Sequence, residues 1–295
     1  MELSTVRYFH KVARSSSIRE AAEQLHVSAS AISRKISQLE EEFGQPLFER
    51  HARGIKLTQA GEIVRQCFHD VLQNVDSLHD QLGELNGLLR GKVRIATVEG
   101  AVTYLLPQAI ASLHSAYPNV FFEITTSGGA DVVESVLEDE ADLLIAYNVN
   151  PDARLAVVAH IALPLYAAVG ANHALRAAKS LSLRDLSTTR IGYLTESHGT
   201  RRLLDNAMNE LSIYPARTLV TNSVESLKAF ARHGIGIIFL PRFVFEREVR
   251  SGDLIAIPID EASLLTASLI IAVRRNRRVA RATQELIKRL TDLIV

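Results

Sequence analysis

One long periodic segment restricts the fold of this chain more than any other feature of its sequence. Between Val64 and Leu89 the apolar residues recur at alternating steps of four and three, and the segment contains no proline. A single amphipathic helix shows a wider stripe with a period of about 3.6 residues, whereas a strict heptad repeat is typical of paired helices. The segment therefore predicts a long helix that pairs with a second copy of the chain. The repeat consists of Val64, Phe68, Val71, Val75, Leu78, Leu82, Leu85 and Leu89.

The segments on either side of this helix follow different patterns. Residues 1 to about 57 contain short helical stretches separated by serine clusters. From Gly91 onward, short β-branched runs alternate with helical stretches, which predicts βαβ units with parallel strands. This pattern fits two lobes as well as one larger sheet. The predicted strands are 92–98, 120–126, 142–147, 165–169, 191–194, 217–220 and 235–240, with helices around 102–116 and 130–139.

The composition narrows the class of protein. A chain of 295 residues is long enough for two or three folding units. Lys plus Arg and Asp plus Glu number 33 each, so any basic patch that binds nucleic acid must be local. The sequence starts without a secretory signal pattern, and no apolar run approaches the ~20 residues of a membrane span. We therefore expect a cytoplasmic protein. The single cysteine, Cys67, fits a reducing compartment and is interpreted as a small buried residue rather than a redox switch.

Residues 17–39 carry the signals of two short helices joined by a tight turn. Ser17 and Glu20 form a capping box that opens the first helix. His26 and Val27 are predicted to make the turn, after which Ser28 caps the second helix. The buried stripe of that second helix is predicted to contain Ile32, Ile36 and Leu39.

The opposite face of this second helix carries small polar residues and one arginine. Such a face suits insertion into a DNA major groove, because the backbone can approach closely and the side chains can reach base edges. An ordinary amphipathic helix with a solvated face fits the same spacing, so both interpretations remain open at this point. The residues of this face are Ala29, Ser30, Ser33, Arg34 and Ser37.

A basic hairpin follows and favours DNA binding. Residues 50–58 read Arg-His-Ala-Arg-Gly-Ile-Lys-Leu-Thr, with the glycine at the tip. A wing of this kind places Arg53 and Lys56 against phosphates or in the minor groove. The candidate DNA-binding residues are Ser28, Ala29, Ser30, Ser33, Arg34, Lys35, Arg50, Arg53 and Lys56.

With these residues the sequence resembles the LysR-type transcriptional regulators. The resemblance is dense over residues 9–61 and looser over the rest of the chain. It depends on the stretches Ser17-Ile18-x-x-Ala21-Ala22-x-x-Leu25-x-Val27-Ser28, Ala31-Ile32-Ser33-x-x-Ile36-x-x-Leu39-Glu40 and Gly44-x-Pro46-Leu47-Phe48-x-Arg50. One departure concerns the residues after the capping serine, where many family members have Gln-Pro and this chain has Ala29-Ser30. Alanine offers a base only apolar contact, so the operator sequence does not follow from the family.

The resemblance implies a fold and a mode of action. The expected fold is an N-terminal all-α winged helix-turn-helix, a long linker helix and an α/β two-lobed, periplasmic-binding-protein-like domain. The expected function is binding of an imperfect palindromic operator as a dimer or tetramer, with transcription by RNA polymerase tuned by a small effector. The expected domains are 1–58 for DNA binding, 59–90 for dimerisation and 91–295 for the effector, with lobe I about 91–162 and 266–295 and lobe II about 163–265.

Hydroxyl and amide side chains follow the predicted strands of both lobes. Ligands of parallel sheets lie beyond the carboxyl ends of the strands, where helix N-termini offer free amides. This favours a polar effector, with an acidic metabolite as a candidate. Alternatively, each of these side chains simply caps its own helix. The candidate effector-binding residues are Thr97, Glu99, Gly100, Thr126, Ser127, Asn148, Thr195, His198, Asn222 and Ser223.

Glu99 does not fit an acidic effector without a further partner. Its carboxylate would repel an anion unless it faces Arg201, His198 or an ammonium group of the ligand. A solvated or capping carboxylate is the alternative.

The sequence lacks the signals of two other classes of protein, enzymes and free solute-binding proteins. The sequence has no H-E-x-x-H metal motif, no G-x-S-x-G nucleophile motif and no complete phosphate or dinucleotide loop. We therefore expect no enzymatic activity, no cofactor and no metal. A free solute-binding protein is disfavoured by the N-terminal DNA-binding pattern and by the absence of a signal sequence.

Overall fold

The computed structural model describes residues 1–15, 17–51, 54–85, 89–150 and 152–294. The chain divides into two compact units, Met1–Asn86 and Gly87–Val295. None of the helices in the described ranges has the length and hydropathy needed to cross a lipid bilayer. The helices are α1 (Leu3–Ala13), α2 (Ile18–Leu25), α3 (Ala29–Phe43), α4 (Gln59–Leu85), α5 (Glu99–Tyr104), α6 (Leu106–Ala116), α7 (Gly129–Leu137), α8 (Gly199–Glu210), α9 (Val224–Arg232), α10 (Glu246–Ser251), α11 (Ala262–Leu265) and α12 (Arg281–Ile294). The strands are β1 (Phe48–His51), β2 (Gly54–Leu57), β3 (Gly91–Thr97), β4 (Val120–Thr126), β5 (Leu143–Tyr147), β6 (Leu155–Ala162), β7 (Leu165–Gly170), β8 (Ile191–Leu194), β9 (Arg217–Thr221), β10 (Ile238–Pro241), β11 (Leu254–Pro258) and β12 (Ser268–Arg274).

The N-terminal unit is a winged helix-turn-helix followed by one long helix. The Ser17 hydroxyl accepts a hydrogen bond from the Glu20 amide at 3.2 Å, and the Ser28 hydroxyl accepts one from the Ala31 amide at 3.2 Å. The turn between α2 and α3 contains His26 in the left-handed conformation, with φ of 54°. These caps and the turn confirm the local prediction. β1 and β2 form the predicted antiparallel hairpin. The predicted stripe of α3 is buried, and it packs with Val6, Phe9, Val12, Ala21, Ala22 and Leu47.

The heptad repeat of α4 has more than one role. Phe68 is buried in the N-terminal core, where its ring packs edge-on against Phe9 at 5.3 Å. Leu89 lies beyond the end of α4 and belongs to the core of the second unit. The prediction of one continuous interface from residue 64 to residue 89 is therefore wrong at these two positions. Val71 and Leu78 are 37% and 54% exposed. The side chains of Leu82 and Leu85 lie outside the description.

Cys67 is exposed on the same helix. Its interpretation as a buried residue is therefore wrong. It lies next to Phe68, but the neighbouring residues of a helix point in directions about 100° apart.

The second unit has two lobes, which confirms the predicted fold class. The first lobe contains a sheet with the strand order β4-β3-β5-β12-β6, and the second lobe contains the strands β7 to β11. β3 is parallel to β4 and β5, as the βαβ pattern predicts. β12 is antiparallel to β5 and β6, and β7 is antiparallel to β10 and β11. The prediction of parallel βαβ units is therefore confirmed for β3, β4 and β5 and for β8 and β9, but it is wrong for β7 and β10.

The antiparallel strands have a topological cause. The chain leaves the first lobe after β6 and returns to it as β12, so these two strands lie side by side with Ala162 paired to Ser268. The strand–helix alternation of the sequence does not predict β6, β11 or β12. β6 follows β5 without an intervening helix, and an alternating strand–helix pattern cannot predict such a strand.

The ion pair between Arg94 and Asp142 connects β3 to the segment that precedes β5. The Arg94 guanidinium donates to the Asp142 carboxylate at 2.6 Å, and the Arg94 amide donates to the same carboxylate at 2.9 Å. Arg277 donates to it as well, at 2.7 Å. Burial raises the pKa of Asp142, but the hydrogen bond and the charge of Arg94 outweigh it, so the pKa lies below its ordinary value.

Candidate functional site

The face of α3 that points away from the N-terminal core forms a small polar surface. Ser30, Arg34 and Ser37 are exposed, whereas Ala29 and Ser33 are half-buried. No described residue forms an ion pair with Arg34, so its guanidinium is available to an anion such as a DNA phosphate or to a base edge.

Two other predicted residues of this helix already have partners. The Ser28 hydroxyl caps α3 and lies 3.2 Å from the Ser30 hydroxyl. The Lys35 ammonium donates to the Glu2 carboxylate at 2.9 Å, and Lys35 is half-buried. Glu2 precedes α1, so this contact holds Lys35 toward α1 rather than toward the face that carries Arg34.

The Glu40 carboxylate of α3 forms hydrogen bonds with the wing. Glu40 accepts hydrogen bonds from the backbone amides of Leu47 at 2.8 Å and Phe48 at 3.2 Å. The first strand of the wing therefore has a fixed position relative to α3. Sequence reasoning missed this role, although Glu40 follows Leu39, the last residue of the predicted buried stripe.

The basic residues of the wing are described in part. Lys56 is exposed and lies opposite Glu49 in the hairpin register. The Arg50 backbone pairs with Ile55, but its side chain lies outside the description. Arg53 also lies outside the described residues.

In the second unit, a carboxylate of one lobe caps a helix of the other. Glu99, the first residue of α5, accepts a hydrogen bond of 2.8 Å through Oε2 from the amide of Val224, the first residue of α9. The N-terminus of a helix has a partial positive charge, so an anion at this position is stabilised. The alternative of a capping carboxylate is therefore confirmed for Glu99, but the helix that it caps lies in the second lobe.

Further hydrogen bonds join the carboxyl ends of the strands in the two lobes. The Gly129 amide donates to the Ser197 carbonyl at 2.9 Å, and the Asn148 side chain makes a longer contact of 3.5 Å with the Gly199 carbonyl. The backbones approach so closely that a Cβ on Gly128 would lie 2.6 Å from the Ser197 side chain. The cleft between the lobes is therefore nearly closed.

A small cavity remains inside this cleft. Its volume is about 40 Å³, which admits little more than water. Glu99, Gly100 and His198 line it together with Val224 and Phe243. Burial lowers the pKa of His198 below its ordinary value, while the neighbouring Glu99 carboxylate opposes this shift. His198 is therefore favoured in its neutral form.

The other predicted effector-binding residues lie at different depths. Thr97 is fully buried, and its hydroxyl donates to the Ile145 carbonyl at 2.9 Å. In this arrangement the hydroxyl joins two strands and has no surface left for a ligand. Thr126 and Asn222 are exposed, and Ser127 is half-buried. Thr195 lies 3.0 Å from His198 Nδ1, and Ser223 caps its own helix through the Ser226 amide.

Arg201 does not face Glu99. It is buried, pairs with Asp205 at 2.5 Å and stacks over the Tyr193 ring at 4.4 Å. A guanidinium held in this way supports the fold of α8.

A buried lysine forms another contact between the lobes, which sequence reasoning missed. Lys228 of α9 is 1% exposed and donates to Glu225 at 2.6 Å and to Glu248 at 2.7 Å. It also donates to the hydroxyl of Tyr104, which ends α5 in the first lobe. Burial lowers the pKa of Lys228, but the hydrogen bonds to Glu225 and Glu248 outweigh it and raise the pKa overall. No local pattern links Tyr104 to Lys228, because they are separated by 124 residues.

Comparison with known proteins identifies the family of this chain. The family model described as LysR substrate binding domain matches residues 86–294, well over half of the sequence. The chain belongs to the LysR family of transcriptional regulators. The model described as bacterial regulatory helix-turn-helix protein, lysR family, matches residues 3–62 of this LysR-type regulator. The family consists of DNA-binding regulators with an effector-binding domain, not of enzymes.

Relatives and solved structures agree with this assignment. The chain is 27% identical to the HTH-type transcriptional regulator CbbR of Rhodospirillum rubrum, over 97% of this chain and 94% of the relative. It is 26% identical to a RuBisCO operon transcriptional regulator of Allochromatium vinosum, over 88% of this chain and 86% of the relative. Full-length OxyR from Pseudomonas aeruginosa superposes with a TM-score of 0.73 at 24% identity, covering 100% of this LysR-type chain and 94% of OxyR. Full-length CbnR, solved in complex with its target DNA, superposes with a TM-score of 0.61 at 20% identity, with 99% of each chain covered. Both structures support the fold.

Proposed function

We propose that this LysR-type regulator binds an imperfect palindromic operator as a dimer or tetramer, and that a small polar metabolite in the cleft tunes transcription. In this proposal residues 1–58 bind DNA, 59–90 pair two chains and 91–295 bind the effector. The hydrogen bond between Glu99 and Val224 is the main support for an effector site in the cleft, because it marks a position between the lobes that suits an anion. A regulator of bacterial genes works in the cytoplasm, in contact with DNA and RNA polymerase.

The proposed DNA contacts follow from the exposed face of α3 and from the wing. Arg34 is exposed without a described ion-pair partner and can reach a base edge or a phosphate. Lys56 is exposed on the wing and suits a phosphate contact. Lys35 must leave Glu2 before it can reach DNA. The remaining proposed contacts are Ser28, Ala29, Ser30, Ser33, Arg50 and Arg53.

The proposed dimer depends on the exposed part of α4. Val71 and Leu78 are one heptad apart and both remain exposed in the single chain. Burying such a stripe against a second copy removes apolar surface from water and places two recognition helices on two half-sites. Assembly of dimers into tetramers is a proposal from the family alone.

The proposed effector carries an anionic group that takes the place of the Glu99 carboxylate at the Val224 amide. The existing cavity of about 40 Å³ is too small for a metabolite, so the lobes must separate to admit one. A ligand that binds the separated lobes better than the closed ones shifts the equilibrium between them, and this difference in affinity is what can act on DNA binding. Glu99, Gly100 and His198 line the cavity and are proposed contacts of the effector. The other proposed contacts are Thr126, Ser127, Asn148, Thr195, Asn222 and Ser223.

A thermal-shift screen of the full chain against carboxylate and phosphate metabolites tests this proposal. A compound that binds only the folded chain raises its melting temperature. The proposal expects a compound that does so and that changes the affinity for a fragment of the upstream DNA. A hit whose affinity is unchanged by Glu99→Gln and by His198→Ala would place the effector outside the cleft.

A further inference from the structure

We propose that the second unit has another ligand site, outside the cleft, for a small molecule with an apolar body and an anionic group. The site is a cavity of about 600 Å³ between the lobes, and it shares Phe243 with the small cavity of the cleft. Its volume lies in the range of pockets that hold metabolite-sized ligands, about 300–1,000 Å³. The inference does not depend on the proposed effector, because Phe243 is the one residue that the two described linings share.

One wall of this cavity is apolar and comes largely from the first lobe. Tyr104 and Leu105 lie at the junction of α5 and α6, Leu163 follows β6, and Leu293 lies near the end of α12. Leu293 lines the cavity and is 45% exposed, so part of its apolar surface is in contact with water. A hydrocarbon or aromatic ligand would remove this surface from water, which is the main source of affinity in such pockets.

The opposite wall comes from the second lobe and is positively charged. Arg242, Arg247 and Arg250 line it with Glu246 as the single carboxylate, which leaves an excess of two positive charges. Arg242 and Arg250 pair with Glu246 at 2.9 and 3.3 Å. Their side chains are 49% and 80% exposed, so these pairs contribute little stability and can be exchanged for a ligand. No described residue pairs with Arg247, which is also exposed. Guanidinium groups bind carboxylate, sulfonate and phosphate oxygens through paired hydrogen bonds, and this fixes the anionic end of the ligand.

The position of the cavity connects it to the lobe junction. Phe243 lines both this cavity and the closed cleft. Tyr104 lines the cavity and accepts a hydrogen bond from Lys228 of the other lobe. A ligand that touches both walls therefore favours one lobe separation over another, and it does so without entering the cleft.

Anilinonaphthalene sulfonate, a fluorescent aromatic sulfonate, is a suitable probe for titration of the full chain. The proposal expects one saturable site per chain and weaker binding of phenylnaphthylamine, which has the same ring system without the sulfonate. Arg247→Ala should weaken binding of the sulfonate by about tenfold, which is the effect of losing one charge-assisted hydrogen bond. The triple variant Arg242→Ala, Arg247→Ala, Arg250→Ala should abolish saturable binding. These residues are exposed, so the variants are expected to fold, and circular dichroism checks this.

Two matched variants make the outcome specific. Arg176→Ala removes an exposed arginine outside the cavity and should leave the affinity unchanged. Glu99→Gln weakens a contact between the lobes without touching this cavity, so it should change the affinity less than Arg247→Ala does, which separates this site from the proposed effector site. If the folded triple variant binds the sulfonate as tightly as the wild type, the probe lies elsewhere and the proposed site is wrong. If Glu99→Gln changes the affinity as much as Arg247→Ala, the probe occupies the cleft and the proposal also fails.

Discussion

Glu99 and Val224 lie on different lobes, yet the Glu99 carboxylate accepts a hydrogen bond of 2.8 Å from the Val224 amide. The amide belongs to the first turn of α9, whose unpaired N–H groups attract negative charge. The chain thus supplies its own anion at a position where a ligand anion would be equally stable.

Chemical rescue tests this relationship. Glu99→Ala should lower the melting temperature, because the α9 amide loses its partner. Added acetate should then restore part of the loss, since a free carboxylate can occupy the vacated position. Acetate should have no comparable effect on the wild type or on Glu210→Ala, which removes an exposed carboxylate at the end of α8. Equal responses of all three proteins to acetate would contradict the prediction.

Arg34 is expected to contribute to operator affinity. Arg34→Ala should weaken binding by roughly 1–3 kcal/mol if the guanidinium contacts a base. If it contacts a phosphate, binding to all sequences should weaken alike, and the slope of log affinity against log salt should fall by about one. Gel-shift titrations at several salt concentrations measure both quantities. Arg184→Ala, an exposed arginine of the second unit, is the control, and a loss of the same size in both variants would count against a role for Arg34.

The exposed heptad residues are expected to hold two chains together. In the double variant Val71→Glu, Leu78→Glu, pairing of α4 would bring like charges together in an apolar seam, so the dimer should dissociate. Sedimentation velocity measures the oligomeric state, and tight binding of a palindrome should be lost with it. Ile63→Glu changes a more exposed apolar residue of α4 that lies outside the heptad repeat, and it should leave the dimer intact. A dimer that survives the double variant would move the interface away from α4.

Asp142 is expected to make the first lobe sensitive to acid. Its folded pKa is lowered, so its contribution is complete above the unfolded value of about 4 and is lost as the pH falls through the folded value. Asp142→Asn should cost on the order of 3 kcal/mol at neutral pH, because Arg94 and Arg277 lose their shared partner. The loss relative to the wild type should begin to shrink as the pH falls below about 4, and it should disappear only below the lowered folded pKa, where the folded wild-type carboxylate is protonated as well.

Asp152 provides the matched control for this experiment. Arg154 lowers the pKa of Asp152 to about 2, but this pair is exposed and water screens it. Asp152→Asn should therefore leave the denaturation midpoint unchanged. A similar loss in both variants would mean that the pKa shift, and not burial, determines the stability.

The sequence predicts local structure in this chain better than it predicts contacts between lobes. β4 and β8 match their predicted bounds, and Ser17 and Ser28 cap their helices as expected, because a cap or an apolar run depends on neighbouring residues. The strand ends also indicate where the cleft lies. Which of the residues at the strand ends face the cleft depends on how the strands pack in the folded chain, and the sequence pattern does not show this. Thr97 turns inward to bond Ile145, whereas Glu99, two residues later, reaches the second lobe.

The return of the chain as β12 has a consequence for protein synthesis. β12 lies between β5 and β6, so the ribosome releases the N-terminal unit, the second lobe and every other strand of the first lobe before Ser268 emerges. Until then β5 and β6 each lack the neighbour that satisfies their backbone N–H and C=O groups, and such open edges attract other nascent chains. A message cut short ahead of Ser268 would therefore yield a complete winged helix-turn-helix attached to a lobe that cannot close its sheet. The last residues to be made decide whether the first strands of that lobe become native.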